Sequence, residues 1–168
     1  MPGRSSCPIE AEPGLIVKAT AGDDSSAEAD LLCPSAKPDL QGAVVFGVRT
    51  AVDSGNRIGY LSATVPVDDR LLQLAEPVGP LDVFRFAAPC ATTGCVHYDD
   101  DRCSLVERIV ERAPVVVAIA PACAVRSGCR WFAQEGTAAC RRCPQVVTSE
   151  SGANSEVARA AIPVARHP

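Results

Sequence analysis

CAVRSGCRWFAQEGTAACRRCPQVVT, residues 123–148, places Cys123, Cys129, Cys140 and Cys143 within 21 residues. Trp131 and Phe132 lie among them, and Arg126, Arg130, Arg141 and Arg142 alongside. Arg130–Glu135 predicts one or two helical turns ended by Gly136 as a C-cap. Thr137–Cys143 predicts a second short helix, closed by Pro144. In one unbroken helix Cys129 and Cys143 would stand about 21 Å apart along the axis. Meeting at one site therefore requires the chain to turn back at Gly136. The stretch predicts short helices folded around sulfur, not a long amphipathic helix.

Just upstream lies C-ATTG-C-V-H-YDDDR-C, with Cys90, Cys95 and Cys103 and with His97 between the last two. Seven of the nine cysteines thus fall between residues 90 and 143. The N-terminus, MPGRSSCPIEAEPG, has no apolar core of a secretory signal, which predicts a cytoplasmic protein. Disulfides are uncommon in that compartment, and clustered cysteines there bind metal more often than they pair. The spacing C-x4-C-x7-C-x19-C-x5-C-x10-C-x2-C-P is irregular. Iron–sulfur ligation tolerates irregularity, whereas structural zinc favours paired C-x2–4-C knuckles. The expected cofactor is a 4Fe-4S cluster, one or two per chain, with zinc as the alternative. Cys123, Cys129, Cys140 and Cys143 make a complete four-thiolate set. Cys90, Cys95 and Cys103 make three ligands, with His97 as a fourth for a second cluster or a zinc. Without His97 they could hold a cluster with an open iron or a three-iron type. An interleaved set that shares cysteines between the groups also remains open. Asp99, Asp100 and Asp101 read as a solvated turn.

Cys140-Arg-Arg-Cys143-Pro144 resembles the cysteine–proline ending of bacterial ferredoxin motifs, in which the cysteine before proline ligates a cluster. The resemblance covers Cys140 to Pro144 and lacks the preceding C-x2-C-x2-C run. It implies ligation by Cys143 and no ferredoxin fold.

Net charge is −4, unevenly spread: residues 1–89 carry 7 basic and 12 acidic side chains, residues 90–168 carry 9 and 8. The arginines near the C-terminal cysteines can offset the charge of a thiolate-bound metal, or form a solvated face. With only 4% aromatic residues and an acidic balance, nucleic-acid binding is not favoured. No phosphate loop, nucleotide-binding glycine motif or G-x-S-x-G occurs. A thiol oxidoreductase built on Cys140 and Cys143 lacks the usual βαβ setting. The chain is expected to serve a redox or protein partner and not to be an enzyme on its own. With zinc instead of iron, it would be an interaction or adaptor domain. The most apolar run, Ala113–Ala122, is too short to span a bilayer and is broken by Pro114 and Pro121.

Elsewhere the pattern predicts an α+β fold: a β-hairpin and a third strand as scaffold, then a cysteine-rich, short-helix, metal-binding half. Residues 1–41 read as a flexible tail, with Leu15-Ile16-Val17 as a possible edge strand and Cys7 and Cys33, each before proline, as incidental thiols. Residues 42–148 form the single domain. Within it, 43–50 and 57–65 form the hairpin, 68–76 a short helix and 81–88 a third strand; nothing in 42–89 suggests a site. Ser104 and Glu107 match a capping box, which opens a helix with Arg108 on its wet side. VVVAIA (115–120) reads as a buried strand or short helix. Residues 149–168 read as a tail, with His167 incidental.

Overall fold

The computed structural model describes residues 31–52, 55–146, 148 and 156–163. Cys7, Leu15-Ile16-Val17 and His167 lie outside them, as does the hairpin tip at 53–54. The fold is α+β, a four-stranded antiparallel sheet with five short helices.

The β-branched runs form β2 (Val44–Val52) and β3 (Gly55–Pro66), an antiparallel pair that runs farther than the predicted strands. After β3, Asp68 accepts the Leu71 N–H at 2.7 Å and opens α1 (Asp69–Gln73). Pro80 starts a single turn, α2 (Pro80–Val83), so the third scaffold strand begins later than the apolar pattern suggests. That strand, β4 (Phe84–Pro89), pairs with β2.

A fourth strand comes from residues assigned by composition to the tail. β1 (Leu32–Cys33) pairs antiparallel with β4, Cys33 opposite Ala88, giving the order β1-β4-β2-β3. Pro34 and Ala36 behind it are buried. Two residues of strand and one proline suffice, because β4 offers an open edge and an apolar surface to cover.

Side chains alternate across β4. Phe84 and Phe86 pack with Val45 and Ala75 against α1 and α2. Ala87 and Arg85 face the other way, with Phe46 and Val125, toward the cysteine-rich half. A register shift between Val45 and Gly47 marks a bulge at Phe46, and Phe46 and Val45 fall in different cores.

The second half begins at Cys90, whose N–H donates to the Leu31 carbonyl at 2.7 Å. β5 (Tyr98–Asp99) and β6 (Arg102–Cys103) form a hairpin whose turn residues, Asp100 and Asp101, have φ of 46° and 58°. Aspartate tolerates that left-handed region better than most residues. α3 (Ser104–Arg112) follows, with Leu105, Val106 and Ile109 buried. Two expectations fail here. The N-cap is Cys103, not Ser104, whose hydroxyl instead donates to the His97 carbonyl at 2.9 Å. Arg108 is buried, donating to the Ala160 carbonyl at 2.7 Å. That carbonyl belongs to α5 (Glu156–Ala161), so part of the predicted C-terminal tail is a helix packed on α3.

VVVAIA is neither strand nor helix; Val115, Val116 and Ile119 are exposed. Pro114 and Pro121 remove the N–H groups either ladder would need, and the segment is held by Val116 donating to the Arg141 carbonyl at 3.1 Å. α4 (Arg130–Cys140) contains the expected break: Gly136 has φ 57° and ψ −141°, with helical turns on both sides. No helix among the described residues is long and apolar enough to cross a membrane.

Candidate metal centre

All eight described cysteines are free thiols, so no disulfide joins any of them. They gather into two groups. Cys123, Cys129, Cys140 and Cys143 line one pocket, together with Phe46, Tyr60, Trp131 and Phe132. Cys90, Cys95 and Cys103 line a second, together with His97 and with Cys33, which composition had set aside.

The first group is assembled by local geometry. The Arg126 N–H donates to the Cys123 carbonyl at 3.2 Å, and a tight turn at Arg126–Gly128 ends with the Cys129 N–H on the Arg126 carbonyl at 3.1 Å. Cys129 occupies the N-cap of α4 in extended conformation, beside the backbone N–H groups of Trp131 and Phe132 in the first turn. A thiolate there meets the unpaired donors and the positive end of the helix. Gly136 then reverses the chain, and Cys140 and Cys143 return to the pocket that Cys129 lines.

Burial pushes the Cys129 thiol up to about 12, with the Cys143 and Cys123 sulfurs adding to the rise and the two N–H groups opposing it. Burial likewise raises Cys123 and Cys140, and the Arg126 guanidinium opposes the rise at both. These sulfurs stay protonated until a cation compensates them. Two buried donors of the same pocket, Trp131 Nε1 and Arg126 Nε, have no hydrogen-bond partner among the described residues, and the Tyr60 hydroxyl stands beside the Cys143 sulfur. Trp131 is 1% exposed. Buried donors without acceptors are uncommon in native structures. Burial, then the Cys143 sulfur beside it, raises the Tyr60 hydroxyl well above its ordinary value.

Among the described residues, no group of three or more His, Cys, Asp or Glu side chains is arranged to hold a metal ion.

Of the four arginines near these cysteines, Arg126 reaches a sulfur, that of Cys140. Arg130 donates to the Asp101 carbonyl at 2.8 Å and lies over the Tyr98 ring. Arg141 and Arg142 bind the Val117 and Ala113 carbonyls at 3.3 and 2.7 Å and brace the 113–117 loop. The buried cation that sequence reasoning missed is Arg85. It donates to the carbonyls of Cys143, Val146 and Pro34, and lies against Phe46. The reading of 42–89 as scaffold alone is thus incomplete, since Phe46 and Tyr60 wall the first pocket and Arg85 bonds a cysteine carbonyl at its edge. Strand alternation places Arg85 opposite Phe84 and Phe86, but does not say that this face is covered too.

His97 lines the second pocket, but its Nδ1 lies 3.1 Å from the Arg108 guanidinium. Burial and Arg108 both lower its pKa, which favours the neutral ring. Guanidinium is always a donor, so Nδ1 accepts and Nε2 carries the proton. The signal for Cys33 was present: Cys33-Pro34 repeats the Cys143-Pro144 dipeptide. The chain matches no known family model, no curated protein and no solved structure.

Proposed function

We propose that this chain is a small iron–sulfur protein, working in the cytoplasm in electron transfer or as a redox accessory to a protein partner. Cys123, Cys129, Cys140 and Cys143 hold a 4Fe-4S cluster. The observation that carries this is one pocket lined by four free cysteines together with two buried donors that lack acceptors among the described residues. The donor set fits the group. Four thiolates complete a 4Fe-4S cluster, and hydrogen bonds to its sulfurs tune its potential.

When bound, the cluster supplies a one-electron couple. The chain's own residues do the rest. The N-terminal amides of α4 favour a thiolate at Cys129, Arg126 offsets charge at Cys123 and Cys140, and Phe46, Trp131 and Phe132 exclude water. A low-dielectric lining of this kind strengthens each of those polar interactions.

Anaerobic purification followed by visible absorbance, iron and acid-labile sulfide analysis tests the proposal. A brown protein with iron and sulfide is expected. Colourless protein with stoichiometric zinc overturns it. Cys143→Ala is expected to strip this cluster, and retention of all the iron would remove the ligand assignment.

A further inference from the structure

We propose that Cys33, Cys90, Cys95 and Cys103 form a second, complete four-thiolate site for a 4Fe-4S cluster, so that the chain carries two. This rests on the iron–sulfur reading above and names the second site's ligands and the second cluster.

The four sulfurs arrive from separate elements at one cavity of about 1200 Å³ of atom-free space, its open mouth included. Cys33 comes from β1, locked opposite Ala88 of β4. The next hydrogen bond of that edge, from the Cys90 N–H to the Leu31 carbonyl, sets Cys90 beside it. A turn at Thr92–Gly94 leads to Cys95, whose sulfur receives the His97 N–H at 3.5 Å. The β5–β6 hairpin delivers Cys103.

The two sites are built alike. Each has a tight turn ending in Gly-Cys, at Gly94-Cys95 and Gly128-Cys129. Each has a cysteine at a helix N-cap in extended conformation, Cys103 before α3 and Cys129 before α4. Each has a Cys-Pro pair, Cys33-Pro34 and Cys143-Pro144. The sulfurs of Cys90, Cys95 and Cys103 all act on Cys33, which also lies under their common roof. His97 is not the fourth ligand, because its accepting nitrogen is engaged by Arg108.

The sites share a wall. Cys33 lines the second pocket and Pro34 the first, and consecutive Cα atoms are about 3.8 Å apart. Leu32 bridges to Cys129, and Arg85 bonds the Pro34 and Cys143 carbonyls across the same boundary. Such proximity suits electron exchange between the clusters. On assembly from two ferric ions, two ferrous ions and four sulfides, four thiols release four protons and form four Fe–S bonds to a 4Fe-4S core of charge 2+. The resulting dianion accepts and returns one electron.

Iron and acid-labile sulfide per chain, measured on anaerobically reconstituted full-length protein, test this. Wild type is expected to hold roughly eight of each, from two clusters of the four-cysteine type. Cys33→Ala and Cys90→Ala are each expected to lose about half, and His97→Asn, which keeps an acceptor for Arg108, none. A Cys33→Ala protein with wild-type iron, or a His97→Asn protein that loses half, overturns the assignment. Wild type with only half the expected iron also overturns it, while leaving the first site standing; wild type with no iron defeats the underlying proposal instead. If Cys33→Ala is insoluble, Cys33→Ser serves, read by electron paramagnetic resonance of the reduced protein. Wild type is expected to give a signal broadened by two coupled spins and the variant a narrow one; identical spectra refute the second site.

Discussion

Arg85 shows how much one side chain can hold. It is 2% exposed and carries no carboxylate partner; its guanidinium is spent on three backbone carbonyls, those of Pro34, Cys143 and Val146. These belong to the segments after Cys33 and around Cys143, so the residue ties both cysteine groups to the sheet. Arg85→Leu is expected to leave buried carbonyls unpaired and to cost on the order of 3 kcal/mol, measured as a shift in the denaturant midpoint of the anaerobic protein. It is also expected to make cluster reduction harder, because a buried cation beside anionic groups is lost. An unchanged midpoint would show that the carbonyls find water instead.

Among the elements, α4 decides whether the first site exists. Its break at Gly136 has φ 57° and ψ −141°, a combination that side-chain-bearing residues rarely adopt. Nothing lies within 4 Å of where a Cβ would stand, so the penalty of Gly136→Ala is backbone strain and not a clash. About 1–3 kcal/mol is expected, seen as a lower melting temperature. Relaxing that strain toward a straight helix would carry Cys140 and Cys143 away from Cys129, so iron loss should accompany it. Full iron retention would mean that the helix can reverse without glycine.

At the scale of the molecule, the sheet and the cysteine-rich half differ in what holds them. Phe84, Phe86, Val45 and the leucines of α1 pack one face of the sheet. The other half relies on short helices whose core sets Cys103, Cys129 and three alanines among Leu105, Val106, Ile109, Trp131 and Val146. Metal binding in such a setting contributes folding energy. Removing iron is therefore expected to lower the melting temperature and to increase amide exchange in α3 and α4 more than in β2–β4; equal exchange throughout would refute this. The iron-free form should also weaken in alkali. Cys33 and Cys129 are raised from 9.0 to about 12 on folding, so above pH 9 the unfolded chain loses protons that the folded one keeps. Stability then falls from about pH 9 to 12. A flat profile across that window, measured by denaturant titration, would contradict it.

Local chemistry made the hairpin, the short helix after it and the Gly136 reversal legible in the sequence. Each depends on residues near one another along the chain, where period, turn propensity and spacing act directly. The failures have a common cause. Cys33 sits in a stretch whose composition argues for disorder, and the open edge of β4 that fixes it lies more than fifty residues downstream. Arg108 reads as solvated and is buried because α5 covers it, while Arg85 is buried because the cysteine-rich half covers its face of β4. His97 looks like a ligand by spacing, and is claimed by an arginine from the next helix turns. Which sulfurs share a pocket is a matter of long-range contact, and only the folded chain decides it.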